Sequence, residues 1–201
     1  MINFTKNKYI LPFNDTWLVS AGSISKKLSH SWDVYGQRYA YDFDLFIDGK
    51  FCSNDPSKIE DYYAYGKDII APVDGLVVSV VDGCDDLPSI DGEQVVWDNR
   101  DVRGNFIIIK AKYGEYVTIC HMLKNSFKVK EGDIVNQGDL IGKVGNTGRT
   151  KGPHIHMQVN KGVDFFESEP LKIRFNSIKV NNKTRNIIKD GDYVSNRWFY
   201  V

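Results

Sequence analysis

Length, composition and charge narrow the classes of protein to which this sequence can belong. The chain has 201 residues, which suits one domain with extensions or at most two small domains. Lys plus Arg and Asp plus Glu each number 26, so the formal net charge is zero and the basic excess of an electrostatic nucleic-acid binder is absent from the sequence.

The sequence shows no membrane-spanning segment, secretory signal or paired cysteine motif. No apolar run is long enough to span a bilayer, and the opening "MINFTKNKYILPF" lacks the features of a secretory signal. The three cysteines, Cys52, Cys84 and Cys120, are odd in number and never spaced as C-x-x-C. We therefore expect free thiols rather than a disulfide framework or a cysteine zinc site.

In chain order, the sequence divides into an arm, a main domain and an extension. Residues 1–29 are expected to pack on the domain as an N-terminal arm, in which "SKKLSH" is the best candidate for a short helical turn. Residues 30–175 form the predicted main domain. Residues 176–201 are predicted to add one or two strands to that domain, because Trp198, Phe199 and Tyr200 would be costly to leave in water.

The main domain is predicted to be mainly β, with antiparallel sheets and long loops. "DIIAPVDGLVVSVVDG" contains two apolar runs, and "NFIIIKAKYGEYVTICHML" contains two more, joined at Tyr113–Gly114 as in a hairpin. "VKEGDIVNQGDLIGKVGNTG" has short apolar pieces between glycines, which indicates tight turns. Residues 48–66 and 82–103 are predicted loops, and both a functional role and a plain surface insertion stay open for them.

The segment "GPHIHMQV", residues 152–159, places two histidines one residue apart in an apolar run. Alternate side chains of a strand point to opposite faces. His154, His156 and Gln158 therefore share one face, and the intervening apolar residues share the face that suits a core. A pair of histidines held this way can serve a metal and a substrate together, or can be an incidental polar stripe.

The other histidines favour the metal interpretation. His121 ends the predicted strand "EYVTICHML", and His30 precedes "GQRYAYDFD", which contains Asp42 and Asp44. Catalytic zinc takes three protein ligands, commonly imidazole plus carboxylate. Two histidines and an aspartate would supply such a set, and the two remaining histidines could act on the water or the substrate. Asp44 is expected to be solvated rather than a ligand.

Four ordered motifs carry a resemblance to a known family. "GNTGRTKGPHIHMQV" resembles the signature of the lysostaphin-type zinc endopeptidases, and "YAYDFD", "YGKDIIAPVDGLVVSV" and "GEYVTICHML" followed by "VKEGDIVNQGDLIGKVG" resemble its other motifs in the same order. The likeness covers residues 30–160. It implies a barrel-sandwich-hybrid-like arrangement of antiparallel sheets around a groove.

The resemblance also implies roles for individual residues. Asp42 and His156 match the family's metal aspartate and metal histidine, whereas His121 and His154 match its two catalytic histidines. The usual first zinc histidine stands four residues before the aspartate, where this chain has Arg38, which cannot serve as a ligand. A subset of the family has its histidine further upstream of a "QRYA-x-D" stretch, and the resemblance to that subset makes His30 the expected third ligand.

The implied activity is zinc-dependent hydrolysis of peptide bonds in peptidoglycan stem peptides or cross-bridges. The implied partner is the peptidoglycan peptide, the implied location is the cell envelope or the extracellular space, and a monomer without nucleic-acid partners is expected. Two alternatives stay open. One is an inactive peptidoglycan-binding or regulatory module, suggested by Arg38. The other is a biotinyl or lipoyl carrier, which "VKEGDIVNQGDLIGKV" also resembles, although the sequence offers no suitable lysine for modification.

Overall fold

The computed structural model describes residues 3–90, 93–94, 101–176 and 178–197. Within those ranges the chain forms short strands and three 3-10 turns and contains no α-helix. The predicted mainly β class is confirmed. The strands are β1 Trp17–Gly22, β2 Tyr41–Asp44, β3 Asp68–Ile70, β4 Gly75–Val81, β5 Ser89–Ile90, β6 Glu93–Gln94, β7 Phe106–Ala111, β8 Glu115–Cys120, β9 Ile134–Val135, β10 Leu140–Lys143, β11 Ile155–Asn160, β12 Ile178–Val180, β13 Lys183–Arg185 and β14 Tyr193–Asn196.

Ten of these strands form one antiparallel sheet in the order β13-β12-β14-β1-β2-β11-β8-β7-β4-β9. The predicted hairpin at Tyr113–Gly114 joins β7 to β8 through the 3-10 turn Lys112–Gly114. Tyr113 and Gly114 both have positive φ, 61° and 65°, which gives the chain its tight reversal.

The glycine-rich segment after β8 contains tight turns, as predicted, with positive φ at Gly132 and Gly138. β9 pairs with β4, and β10 pairs with β3, so the two strands do not pair with each other. Val135 and Ile141 are both buried, and burying them in the core draws each short strand to a different partner. The segment thus crosses between two sheets.

The larger of two apolar clusters among the described residues lies beneath the central strands. Tyr41 and Phe43 of β2, Met157 of β11 and Ile119 of β8 are fully buried and belong to the same cluster. Residues 9–17 close one side of this core with a further set of buried side chains, which are Tyr9, Leu11, Phe13 and Trp17. Alternation along each strand therefore leaves the opposite face of β2, β11 and β8 free for polar residues.

The chain termini contribute more strand than the sequence predicted. Residues 176–197 contain three strands rather than one or two, and β14 pairs with β1, which continues the main sheet. Trp198, Phe199 and Tyr200, on which that prediction partly rested, lie outside the described residues. The segment "SKKLSH" forms only a hydrogen-bonded turn, in which Ser29 N donates to Ser25 O at 3.0 Å.

Among their described residues, the two predicted loops contain only short elements of secondary structure. Residues 48–66 contain the 3-10 turn Ile59–Asp61, and residues 82–103 contain the short β5–β6 pair as well as residues 91, 92 and 95–100, which lie outside the described part. All three cysteines are free, as predicted. No helix among the described residues has the length and apolar character needed to cross a membrane.

Candidate metal centre

Three adjacent strands assemble the site on the polar face of the sheet. β11 lies between β2 and β8, and His156 stands directly opposite Asp42 on one side and Cys120 on the other. Nδ1 of His156 is 2.8 Å from Oδ1 of Asp42. The predicted alternation along β11 is confirmed, because Ile155, Met157 and Val159 all belong to the core.

His30 reaches the same carboxylate from the segment before β2. Its Nε2 lies 3.4 Å from Oδ2 of Asp42. His30, Asp42 and His156 each offer one ligand atom, and these atoms lie within 4.8 Å of one another. The structure therefore brings together the three residues that the sequence suggested as metal ligands, even though His30 and Asp42 are twelve positions apart.

The donor atoms of this cluster are of the types that suit a zinc ion. Tetrahedral zinc with nitrogen and oxygen ligands at 2.0–2.2 Å places neighbouring donor atoms about 3.3–3.6 Å apart. Oδ2 of Asp42 lies 3.4 Å from Nε2 of His30, within that range, whereas Oδ1 of Asp42 lies at hydrogen-bond distance, 2.8 Å, from Nδ1 of His156. Two imidazoles and one carboxylate are also the donor types that zinc prefers.

His121 follows β8 and has an unusual backbone conformation. Its φ is 64°, a left-handed value that residues other than glycine adopt infrequently. Its N–H donates to Arg103 O and its carbonyl accepts from Gly145 N, both at 3.0 Å. Its ring Nδ1 lies 2.8 Å from Thr147 O, and because a carbonyl oxygen only accepts, Nδ1 carries the hydrogen and Nε2 keeps its lone pair.

His154 is held in the same tautomer by its own turn. Its Nδ1 lies 2.8 Å from Gly152 O and 3.1 Å from Thr150 Oγ1, so Nδ1 donates, and Nε2 is the nitrogen with the lone pair whenever the ring is neutral. That Nε2 is 3.8 Å from Oδ1 of Asp42. The rings of His121 and His154 are 4.7 Å apart between centroids. Two imidazoles whose Nδ1 atoms donate to backbone carbonyls therefore stand beside the candidate metal ligands.

Burial and neighbouring charges shift the pKa values of these groups in different directions. Burial lowers the pKa of His121 well below its ordinary value and also lowers that of His30. Burial is the largest single influence on His156 and Asp42 and opposes their charged forms, but their mutual hydrogen bond and charge attraction, with help from neighbouring polar groups, together outweigh it. The pKa of His156 is raised and that of Asp42 is lowered. His121 is therefore neutral near pH 7, and Asp42 is ionised.

The four histidines border a single cavity of about 940 Å³. One part of its lining is aromatic and consists of Phe51, Tyr62, Phe165 and Phe166. Another part is cationic and consists of Lys50, Arg149 and Lys151. A cavity of this size, with a few polar groups converging on one point, has the form of a small-molecule or peptide site.

Arg38 and Asp44 take positions that the sequence did not specify. Arg38 does not line the cavity: its Nε donates to Trp32 O at 3.0 Å, and its guanidinium carbon lies 5.3 Å from the Trp32 ring and 5.1 Å from the Tyr35 ring. These contacts hold together the segment between His30 and Asp42, to which Trp32 and Tyr35 belong. Asp44 was expected to be solvated, but it lines the cavity half-buried and accepts a hydrogen bond from Ser20 Oγ.

The groups that orient the rings of His121 and His154 were not predicted from the sequence. Thr147 and Gly152 act through backbone carbonyls, which no side-chain motif reveals. Thr150, which contacts His154, lies within the quoted "GNTGRTKGPH" stretch, so its position next to the histidine pair was the available signal. Asn160 extends the polar face of β11 by one more alternate position, and continuing the period of two would have found it.

Comparison with known proteins gives one family match. The model described as "Peptidase family M23" matches residues 59–168, which is more than half of the chain. His121, His154 and His156 fall inside the matched range, whereas His30 and Asp42 precede it.

Curated relatives and solved structures are similar over limited ranges. The chain is 31% identical over 123 residues to the peptidoglycan DD-endopeptidase ShyA of Vibrio cholerae serotype O1, covering 61% of this chain and 26% of that protein. It is 37% identical over 92 residues to an uncharacterized metalloprotease of Buchnera aphidicola, covering 40% and 24%. It thus spans about a quarter of each relative. A zinc-containing peptidase from Vibrio cholerae aligns at TM-score 0.48 and 19% identity, covering 82% of this chain and 39% of that one.

Proposed function

Because the chain belongs to peptidase family M23, the lysostaphin-type family, we propose that it is a zinc-dependent endopeptidase that cleaves peptide bonds in peptidoglycan stem peptides or cross-bridges. The name of the Vibrio cholerae relative, a peptidoglycan DD-endopeptidase, supports this substrate class. The same similarity supports a role in the cell envelope, with peptidoglycan peptides as the partner.

One observation carries the proposal. The ligand atoms of His30, Asp42 and His156 lie within 4.8 Å of one another, and two more imidazoles, held through Nδ1, line the same cavity. This arrangement separates three candidate ligands from two candidate proton carriers. A zinc ion in this position would supply Lewis-acid polarisation of the scissile carbonyl and a water whose pKa is near 7.

His121 and His154 would accept and donate the proton during hydrolysis. Burial keeps the His121 ring neutral, so its Nε2 is ready to accept a proton from the attacking water. His154 offers a second Nε2 close by. The two rings share two tasks: accepting the proton of the water and, once protonated, stabilising the oxyanion or protonating the leaving amine. The hydrogen bonds to Thr147 O and Gly152 O keep both Nε2 atoms directed away from the protein backbone.

The experiment that tests the proposal combines turnover of cross-linked muropeptides with zinc analysis. His121→Asn and His154→Asn are suitable variants, because an asparagine amide can replace the Nδ1–H donor and asparagine tolerates the positive φ of residue 121. Each variant should lower kcat/KM by about 10²–10⁴-fold, the usual contribution of an acid–base group, and should retain zinc.

Tyr113→Asn is the matched control. Tyr113 also has a positive φ, lies at the hairpin tip with 62% of its surface exposed, and does not line the cavity. This control should hydrolyse muropeptides at the wild-type rate. Full activity in either histidine variant would contradict the assignment. Wild-type protein that binds peptidoglycan but turns over no muropeptide would instead support a binding or regulatory module.

A further inference from the structure

The polar face of β11 continues past the histidine pair into the protein interior. Gln158 and Asn160 follow His156 at alternate positions, and they are only 1% and 2% exposed. Neither side chain lines the cavity. Buried amides of this kind need partners for every donor and acceptor, and those partners determine which way each amide faces.

Backbone carbonyls fix the orientation of Asn160. Its Nδ2 donates to Gly36 O at 2.9 Å and to Ser168 O at 3.1 Å. Both partners are carbonyl oxygens, which only accept, so the NH₂ group must be on their side. The Oδ1 atom of Asn160 therefore faces Gln158.

The same reasoning fixes Gln158. Its Nε2 donates to Asn160 Oδ1 at 2.9 Å and to Phe165 O at 3.0 Å. Its Oε1 is then the atom that lies 3.1 Å from Nε2 of His156. Because this oxygen only accepts, Nε2 of His156 carries a hydrogen. Nδ1 lies 2.8 Å from Oδ1 of Asp42, a carboxylate that also only accepts, so Nδ1 carries a hydrogen in metal-free protein and is the nitrogen that a metal would bind in place of that hydrogen.

We propose that Gln158 and Asn160 are positioning residues that keep a hydrogen on Nε2 of His156 and hold its ring in one orientation, with Nε2–H directed into the protein and Nδ1 directed at Asp42 and the metal position. The backbone carbonyls of Gly36, Ser168 and Phe165 fix the orientation of the two amides. Gln158 in turn fixes the orientation of the His156 ring. The consequence for zinc rests on the proposed function; the position of the proton on His156 does not.

The same amides connect His156 with the segment that carries His30. Gly36, whose carbonyl accepts from Asn160, lies between His30 and Asp42 in the chain, and its N–H donates to Phe166 O at 2.6 Å. A Cβ at Gly36 would overlap the carbonyl oxygen of Phe165, so the segment packs here without a side chain. Asn160 is thus linked both to the segment that carries His30 and, through Gln158, to His156. Loss of its amide should disturb His30 as well as His156.

Long-range ¹H–¹⁵N correlation of the histidine side chains tests the proposal directly in wild-type protein, with and without added zinc. The chain has four histidines, and the signals of residue 156 are identified by their loss in His156→Gln. We expect a slowly exchanging hydrogen on Nε2 of His156 in both samples and, with zinc, coordination through Nδ1. An Nε2 without hydrogen in either sample, or zinc on Nε2, would overturn the proposal.

Two variants extend the test to metal affinity. Gln158→Met keeps the side-chain length but removes the acceptor, and Asn160→Leu removes the donors to Gly36 and Ser168. Each should raise the zinc dissociation constant by about 10–100-fold, as loss of a hydrogen bond to a ligand histidine usually does. Gln158→Met should also speed exchange of any remaining Nε2 hydrogen.

Asn196→Leu is the matched control. Asn196 is fully buried and donates to Leu11 O and Phe13 O, but it lies on β14 outside the cavity. It should lower stability and leave zinc affinity unchanged. Wild-type zinc affinity in Gln158→Met would contradict the positioning role. If wild-type protein binds no zinc and cleaves nothing, the proposed function fails, and the proton position on His156 in metal-free protein still decides this inference.

Discussion

At the scale of single residues, the site is defined by which nitrogen of each histidine carries hydrogen. The sequence predicted which residues could form the site. It also predicted that His154 and His156 share a face, because side chains of a strand alternate with a period of two. It could not predict the tautomers. The acceptors are backbone carbonyls such as Thr147 O, which is 26 positions from His121 and meets it only in the folded chain.

His121 gives a prediction about pH. Burial lowers its pKa in the folded protein, so between that value and the unfolded value of about 6.5 the unfolded chain binds more protons. The stability that this residue contributes is therefore present above pH 6.5 and is lost as the pH falls. Urea unfolding of zinc-free protein from pH 7.5 to pH 5 should show a steeper loss for wild type than for His121→Asn. Parallel pH dependences would contradict the burial argument.

Arg38 gives a second prediction at this scale. Lysine at this position would keep the charge but lose both the Nε–H bond to Trp32 O and the planar stacking on two rings. Arg38→Lys should cost about 1–2 kcal/mol of unfolding free energy and weaken zinc binding, because the segment between His30 and Asp42 loosens.

The control for Arg38 is another stacked arginine. The guanidinium carbon of Arg174 lies 4.6 Å from the Phe4 ring, and Arg174 does not line the cavity. Arg174→Lys should therefore leave zinc titrations unchanged. Equal zinc affinities for Arg38→Lys and wild type would show that this segment does not depend on the Arg38 contacts.

At the scale of elements, strands with strong patterns were predictable and short ones were not. The β7–β8 hairpin follows from two β-branched runs around Tyr113–Gly114. The partners of β9 and β10 do not follow from sequence, because strands of two and four residues pair wherever Val135 and Ile141 can be buried. His30 was predictable only through the family resemblance, since a loop of this length has no periodicity.

The N-terminal segment provides a prediction about element docking. Glu115 at the start of β8 is fully buried and accepts from Lys6 N at 2.5 Å, Asn7 Nδ2 at 2.7 Å and Tyr9 OH at 3.2 Å. Glu115→Leu should destabilise the protein by about 1–3 kcal/mol for each buried donor left unpaired, with zinc affinity unchanged. Urea denaturation measures the loss.

Glu131→Leu serves as the comparison for Glu115. Glu131 is exposed and accepts a single backbone bond, from Val80 N at 3.0 Å. Its replacement should change the unfolding free energy by less than about 0.5 kcal/mol, as is usual for surface substitutions. A loss in Glu115→Leu no larger than that in Glu131→Leu would contradict the role of Glu115 in holding residues 6–9.

At the scale of the whole molecule, the sheet joins groups that are far apart in sequence. β2, β11 and β8 are neighbours in space, and they bring Asp42, His156 and His121 to one cavity. The family match covers residues 59–168 and contains the three C-terminal histidines. The remaining two candidate ligands come from the preceding part of the chain, so the completeness of the metal site depends on how His30 docks.

Zinc content tests this central claim most directly. Elemental analysis of purified, zinc-reconstituted protein should give about one zinc per chain in wild type and in Tyr113→Asn, and a loss of that zinc in His30→Ala. Such a result would establish His30 as the third ligand beside Asp42 and His156. Wild-type protein without zinc, or a His30→Ala variant that retains a full equivalent, would contradict it.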